Sequence, residues 1–188
     1  MDVTDDSATT QRGTARDRAL DAARTLFSQN GVSGTSLQMI ADHLGVTKAA
    51  IYHQFHTKEE IVVTLLEKPL AELETIITEA EAMDAREDQL DVLLKGLVDV
   101  VLANPEVVGL IQGDPAAARI AQVGRLHGDT GRRLTNLLSG PHPDPEARVA
   151  SVLYGAGLMS IGHHPLLSDI DPETMRSELP RIGRLMLR

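Results

Sequence analysis

Residues 45–55 read GVTKAAIYHQF, a stretch with one lysine, two adjacent alanines and no acidic residue. Gly45 supplies a turn and Thr47 a helix N-cap, so the spacing predicts a short helix that starts after Thr47. Val46 and Ile51 occupy the two positions of a hydrophobic staple around this cap, which fixes how the chain enters the helix. The first turn of this helix carries small or basic residues only, so it can approach a polyanion closely.

Other helices are predicted on both sides of this stretch. Apolar residues recur at helical spacing over residues 16–30, and Asn30-Gly31 is a C-terminal stop. A second, short helix begins at Thr35 or Ser36 and ends before Gly45. The fourth helix opens with Thr57-Lys58-Glu59-Glu60, a capping-box sequence.

The spacing within residues 36–53 fits a helix-turn-helix unit. Such a unit needs a small residue where its helices meet, a glycine in the turn and a branched apolar residue in the second helix. Ala41, Gly45 and Ile51 supply these at relative positions 5, 9 and 15. An ordinary helical hairpin can match the same pattern, so the motif alone leaves both interpretations open.

Charge is distributed unevenly along the chain. The net charge of −9 argues against nucleic acid as a partner for the chain as a whole. Residues 12–58, however, hold six basic and three acidic residues, whereas the chain from residue 59 onward holds 12 basic and 21 acidic ones. This pattern predicts a small module that approaches a polyanion, carried on an acidic body.

From Arg16 to about Leu66 the sequence resembles the tetracycline-repressor (TetR) family of bacterial transcriptional regulators. The resemblance is carried by ALDAARTLFSQNGVSGTSLQMIADHLGVTKAAIYHQFHTKEEIV, in which the spacings of four predicted helices agree together. It implies a homodimer in which each subunit has a three-helix head that reads a palindromic operator in double-stranded DNA. It also implies a helical body that dimerises and binds a small-molecule effector. Beyond about residue 70 the family shares little sequence, so no motif is carried over there.

The candidate DNA contacts lie at the starts of three helices. Lys48 can reach a phosphate or a guanine edge, and alanines beside it allow close approach to thymine methyl groups. Hydroxyl, imidazole and ammonium groups nearby can donate to phosphates. The predicted contacts are Thr35, Ser36, Thr47, Lys48, Ala49, Ala50, Tyr52, His53 and Lys58. Packing remains an alternative for Tyr52 and Ala50, and the two N-cap threonines, Thr47 and Thr57, serve as caps in either case.

The fold expected from these patterns is all-α, with about nine helices. Asn-Pro or Asp-Pro pairs mark helix starts near residues 105, 115, 145 and 172. We expect a flexible arm over residues 1–13, a helix-turn-helix DNA-binding domain over 14–58, and a helical ligand-binding and dimerisation domain over 59–188. Arg12 and Arg16 are alternatives for phosphate contacts from the arm.

Composition limits the classes of function. The chain has no cysteine, and no apolar run approaches the ~18 residues of a membrane span. We therefore predict a cytoplasmic protein without a disulfide framework, a membrane partner, a metal or a cofactor. The sequence shows no nucleophile elbow, phosphate loop or convergent carboxylate pair, so an enzyme that uses the helical body is the weakest alternative. A DNA-binding regulator without a ligand, and activation instead of repression, remain open.

Two sets of body residues are predicted on helical spacing and on the resemblance. With two Phe, two Tyr and no Trp in the chain, an aliphatic effector is favoured over a flat aromatic one. The effector candidates, each of which could instead be core, are Leu66, Leu70, Leu97, Val101, Gln112, His127 and Tyr154. The dimer candidates, which could instead belong to two ordinary core helices, are Ala147, Ala150, Ser151, Leu158, Met175, Leu179, Ile182 and Met186.

Overall fold

The fold was derived as a computed structural model, which describes residues 14–123, 128–161 and 164–187. Ten α-helices and one short 3₁₀ turn make up the regular structure of these residues, and they contain no strand. The helices are α1 (Ala15–Gly34), α2 (Leu37–Leu44), α3 (Lys48–Tyr52), α4 (Lys58–Glu81), α5 (Arg86–Ala103), α6 (Pro105–Gly113), α7 (Pro115–Val123), α8 (Asp129–Ser139), α9 (Pro145–Ser160) and α10 (Pro172–Met186), with the 3₁₀ turn at Pro165–Leu167. The predicted all-α class is confirmed. The arm predicted over residues 1–13 lies outside the described residues.

The helix that sequence reasoning missed is α8. Gly128 precedes it, and no side chain caps its first turn. The other body helices after α5 begin with proline behind an Asn or Asp, which made them visible in the sequence. An uncapped helix without proline gives no comparable start signal, which is why about nine helices were expected instead of ten.

Most predicted caps form as expected. The hydroxyl of Thr47 accepts from the N–H of Ala50 at 3.2 Å, and that of Thr57 accepts from the N–H of Glu60 at 3.1 Å. Glu60 does not complete a capping box with Thr57, because its carboxylate accepts from the N–H of His56 instead, at 2.8 Å. The bonds to Thr47 and Thr57 each satisfy an N–H group that the helix itself leaves unpaired, whereas the bond from His56 ties the loop before α4 to the first turn of that helix.

The core consists of two apolar clusters. The first surrounds Phe27, Ile40 and Phe55 in the N-terminal head, and it continues into α4, α6 and α7 through residues such as Leu65 and Val107. The second lies within the body, and its centre includes Ile77, Leu93, Leu94 and Val98. Because the first cluster crosses the expected boundary near residue 58, the head is packed onto the body and is not a freely hinged module.

No helix in the described ranges has both the length and the apolar character needed to cross a lipid bilayer.

Candidate nucleic-acid interface

The turn between α2 and α3 depends on the backbone conformation of Gly45. This residue has φ +65° and ψ +32°, a left-handed conformation that glycine adopts without steric cost. Its N–H donates to the last turn of α2, and the N–H of Val46 donates to the carbonyl of Ala41 at 3.0 Å. The chain can then enter α3 immediately through the Thr47 cap, which makes a compact helix-turn-helix unit.

Helix α3 has one buried side and one open side. Ile51 is 3% exposed, and Phe55, just beyond the helix, is fully buried, so both belong to the head core. The open side is formed by exposed residues: Thr47, Lys48, Ala49, Ala50, Tyr52 and His53. The Lys48 ammonium lies 5.3 Å from the centre of the Tyr52 ring, close enough for a cation–π contact. Ser36, which caps α2, is also exposed.

Thr35 is turned inward, so its predicted place at the DNA surface is wrong. Its side chain is 2% exposed, and its hydroxyl donates to the carbonyls of Gly31 at 2.8 Å and Leu26 at 3.3 Å. These carbonyls lie at the C-terminal end of the regular part of α1, where the helix leaves acceptors without an internal partner. Thr35 is therefore a structural residue that closes α1.

Lys58, which was predicted to contact a DNA phosphate, instead forms hydrogen bonds within the chain. Its Nζ donates to the carbonyls of Val32 at 2.6 Å, Ser33 at 3.1 Å and Thr35 at 3.2 Å. An ammonium group has only three N–H donors, so these contacts use all of them. The negative end of α1 attracts the cation more directly than a distant phosphate could. The side chain of Lys58 is thus left out of the proposed interface.

Arg16 has a structural role that the sequence did not reveal. Its guanidinium donates through Nη1 to the carbonyl of Gln54 at 3.0 Å and through Nη2 to Oγ1 of Thr64 at 3.2 Å. It also lies 4.3 Å from the centre of the Phe55 ring. These contacts join the start of α1 to the segment that follows α3 and to α4, and so help to hold α3 in place within the head. Arg12 lies outside the described residues.

The predicted effector residues are not brought together. Leu66 and Leu70 belong to the head cluster, whereas Leu97, Val101 and Tyr154 belong to the body cluster. Gln112 is exposed and donates to Oγ of Ser160 at 3.3 Å. His127 lies outside the described residues. The six described positions are therefore divided between the two clusters and the surface.

Tyr154 is the most unusual of these residues. Its side chain is 5% exposed, and its hydroxyl has no hydrogen-bond partner among the described residues. Burial raises the pKa of Tyr154 to about 12, because the ionised phenolate would be poorly solvated there. Buried polar groups in proteins usually have a partner, so this hydroxyl is a candidate for contact with a ligand.

A groove of about 900 Å³ lies between α1 and α6, where the head meets the body. Its apolar lining includes Phe27, Leu65, Val107 and Leu110, and Gln112 is the one predicted effector residue that lines it. Sequence patterns could not show this groove, because it depends on how two helices about eighty residues apart are placed.

The body exposes an apolar face that differs from the predicted dimer residues. Six large apolar side chains of α9 and α10 face solvent: Val149, Val152, Leu153, Ile182, Leu185 and Met186. Leu158, predicted at the interface, is instead 5% exposed within the body cluster, against which Ala150 and Leu179 also pack. Ala147, Ser151 and Met175 are half-buried. Ile182 and Met186 are exposed, and their place in a dimer interface stays a prediction; on α9 the exposed large apolar residues are not the predicted ones.

The described residues contain no cluster of three or more His, Asp or Glu side chains that could hold a metal ion.

Known proteins resemble this chain most clearly in the head. A family model described as "Bacterial regulatory proteins, tetR family" matches residues 19–65. The transcriptional regulator AcrR of Shigella flexneri is 47% identical over 62 residues, which cover 31% of this chain and 29% of AcrR. The transcriptional repressor KstR2 of Rhodococcus jostii is 31% identical over 101 residues, 53% of this chain and 49% of KstR2. The matched stretch thus spans half or less of the length of these relatives.

Solved structures show that the resemblance in fold extends well beyond the head, over more than 90% of the chain. A TetR-family member from Streptomyces coelicolor, SCO3833, has a TM-score of 0.69 at 23% identity, and the match covers 96% of this chain and 92% of that one. A regulator from Aquifex aeolicus has a TM-score of 0.66 at 21% identity, with 91% and 98% covered. The fold and the open α3 define a helix-turn-helix protein with an all-helical body. Residues 19–65 match the TetR family model, and the chain shares its overall fold with a solved member of that family.

Proposed function

We propose that the protein is a sequence-specific DNA-binding transcriptional regulator that acts as a repressor on a palindromic operator in the cytoplasm. The observation that carries this proposal is the open side of α3, where residues 47–53 expose small, hydroxyl and basic side chains and no acid. A helix that enters the major groove needs such an edge, because bulk or negative charge in its first turn would oppose close approach to the bases and phosphates.

The exposed residues divide into two proposed roles. Lys48, Ala49 and Ala50 enter the groove, where the ammonium meets a guanine edge or a phosphate and the alanines meet thymine methyl groups. Ser36, Thr47, Tyr52 and His53 flank this edge, and we assign them to the sugar–phosphate backbone. Contacts of the second kind fix the register of the head on the duplex without reading sequence.

The proposed active form is a homodimer. One head offers few positive charges to DNA, so a single head binds weakly and depends strongly on salt. Two heads about 34–36 Å apart, or a multiple of that distance, would bind two half-sites together. The exposed apolar face of α9 and α10 supports a second copy of this chain as the covering partner, because exposed apolar patches of this kind mark interaction surfaces.

We further propose that an aliphatic effector with one hydrogen-bonding group releases the protein from DNA. The body cluster consists of aliphatic side chains around Tyr154, whose hydroxyl lacks a partner in the described structure. An effector that uses this hydroxyl would have to bind better to the form whose heads are wrongly spaced for DNA. It could weaken operator binding only by that difference in affinity.

The test is a selection of genomic fragments by the full-length protein, followed by sequencing of the bound DNA. Enrichment of one palindromic motif is expected, and the genes beside it suggest classes of effector to add to the complex. Enrichment of no motif would refute sequence-specific binding. A motif whose complex no related metabolite releases would favour the alternative of a DNA-binding regulator without a ligand.

A further inference from the structure

One buried carboxylate joins the DNA-binding head to the body. Asp114 lies in the turn between α6 and α7 and is 9% exposed. Its Oδ2 accepts from the N–H of Val32 at 2.5 Å, across 82 residues of sequence. Its Oδ1 accepts from the N–H of Ala116 at 2.7 Å and of Ala117 at 3.1 Å, which caps α7. The same side chain therefore starts a body helix and holds the end of α1.

Gly31 permits this contact for two reasons. It interrupts α1 with φ +71° and ψ +165°, a conformation in the left-handed half of the map that favours glycine. A Cβ at this position would also lie 2.8 Å from Oδ2 of Asp114, too close for a normal contact. Any larger residue at position 31 would thus displace the carboxylate or the end of α1.

The positively charged Lys58 binds the same segment at the end of α1 that the negatively charged Asp114 binds. The carboxylate of Asp114 takes the N–H of Val32, while the ammonium of Lys58 takes the carbonyls of Val32, Ser33 and Thr35. Burial alone would raise the pKa of Asp114, but hydrogen bonds from Val32, Ala117 and Ala116 and the charge of Lys58 lower it below its ordinary value. The group is therefore charged at neutral pH, and its hydrogen bonds are of the stronger, charge-assisted kind.

Asp171 is a useful comparison for Asp114, because it precedes a proline and only caps a helix. It stands before Pro172 as Asp114 stands before Pro115, and it accepts from the N–H groups two and three residues ahead, both at 3.0 Å. Asp171 is exposed, and none of its hydrogen bonds in the described structure reaches the head. The additional bond to Val32 and the burial at Asp114 are thus not explained by the start of a helix.

We propose that Asp114 is a positioning residue that sets the angle of the DNA-binding head on the body, with Gly31 and Lys58 as its partners. The inference rests on the proposed binding of two half-sites by a dimer. The start of α1 lies about 24 Å from Gly31 by helical rise, so a rotation of about 10° at this joint moves it by about 4 Å. That displacement exceeds the rise of one base pair, about 3.4 Å. If the contacts of Asp114 and Lys58 with the end of α1, which we call the joint, were weakened, the two heads would no longer match the spacing of the half-sites.

The decisive comparison is between Asp114→Asn and the matched control Asp171→Asn, both in the full-length protein. The amide at position 114 places an NH₂ group against one of the N–H donors, which breaks one side of the joint at nearly constant shape. We expect binding to the full palindrome to weaken at least about fivefold. The loss of one charge-assisted hydrogen bond is large enough to cause a change of this size in affinity. Binding to an isolated half-site should change less than about twofold.

A second readout separates positioning from ordinary destabilisation. Operators whose half-sites are moved together or apart by one base pair should lose less affinity with Asp114→Asn than with the wild type, because the heads can adapt. Partial unfolding would weaken binding to all these operators equally. Asp171→Asn is expected to keep the wild-type preference. Unchanged spacing preference and unchanged full-site affinity in folded Asp114→Asn would overturn the proposal.

Lys58→Met provides a second variant if Asp114→Asn does not fold. This substitution removes the hydrogen bonds from α4 to the end of α1. It should therefore reduce the difference in affinity between operators of different half-site spacing, as Asp114→Asn does. A folded Lys58→Met protein with the wild-type preference contradicts the joint.

The inference can also be tested without DNA. Because the chain has no cysteine, spin labels can be placed specifically at Gln38→Cys in the head and Lys95→Cys in the body. Asp114→Asn should broaden the distance distribution between these two labels in one chain, and a distribution as narrow as in the wild type refutes the joint. A wild type that binds no DNA while this broadening occurs would refute the proposed function and leave the joint standing.

Discussion

The ring of Tyr154 packs directly on Gly183. A Cβ at Gly183 would lie 2.7 Å from Cε2 of Tyr154 and 3.0 Å from Cδ2 of Leu94. This contact brings α10 against α9 and α5 at the centre of the body cluster. It leaves the hydroxyl of Tyr154 buried without a described partner.

Gly183→Ala is expected to destabilise the protein by about 1–3 kcal/mol, because the added methyl group overpacks a closed contact. Urea denaturation measures the free energy of unfolding directly. Gly113→Ala is the control, since a Cβ at that position would meet nothing within 4 Å. Equal stability of the two variants would show that the contact between Tyr154 and Gly183 is looser than described.

Tyr154→Phe is expected to raise the free energy of unfolding by about 1 kcal/mol, because it removes a buried polar group that gains no hydrogen bond. The same variant should respond more weakly to an effector that releases the wild type from DNA. Thermal and urea denaturation check the first effect, and release from a labelled operator checks the second. A loss of stability would mean that the hydroxyl has a partner.

Val152→Glu tests the proposed dimer face, where Val152 is 70% exposed on α9. A charge buried between two protomers without a partner is costly, so we expect the variant to be monomeric and to keep the stability of each folded chain. Light scattering during size-exclusion chromatography measures the mass. Met83→Glu, at a surface position between α4 and α5, should remain dimeric. A dimeric Val152→Glu protein would place the interface elsewhere.

Asp114 should make the free energy of unfolding depend on pH in the acidic range. Its pKa is lowered in the folded protein, so its contribution is present above the ordinary value of 3.8 and is lost as pH falls through the folded value. The difference in unfolding free energy between wild type and Asp114→Asn should therefore be largest near neutral pH and shrink below pH 3.8. Denaturation at a series of pH values measures it, and a difference that grows as pH falls would contradict the assignment.

The head was largely predictable from sequence because local interactions define it. A glycine that needs a left-handed conformation and the caps at Ser36, Thr47 and Thr57 all act within a few residues. The apolar position of Ile51 followed from the helix-turn-helix spacing. The family resemblance rested on the same residues and is confirmed.

Features that depend on tertiary structure were missed or misplaced. Lys58 and Thr35 have types suited to DNA contact, and only the position of the end of α1 shows that they close that helix. Helix α9 is apolar or small on most sides, so its buried and exposed faces could not be told apart by pattern. The contact of Asp114 with Val32 joins residues 82 positions apart, and no local signal announces it.

The central claim is that the open side of α3 binds DNA, and equilibrium binding to the selected palindrome tests it most directly. Lys48→Ala should weaken binding by about 1–3 kcal/mol per half-site, and it should lower the salt dependence if Lys48 meets a phosphate. Lys95→Ala removes another exposed lysine, on α5, and should leave both the affinity and the salt dependence unchanged. Equal affinities for Lys48→Ala and Lys95→Ala would contradict the account.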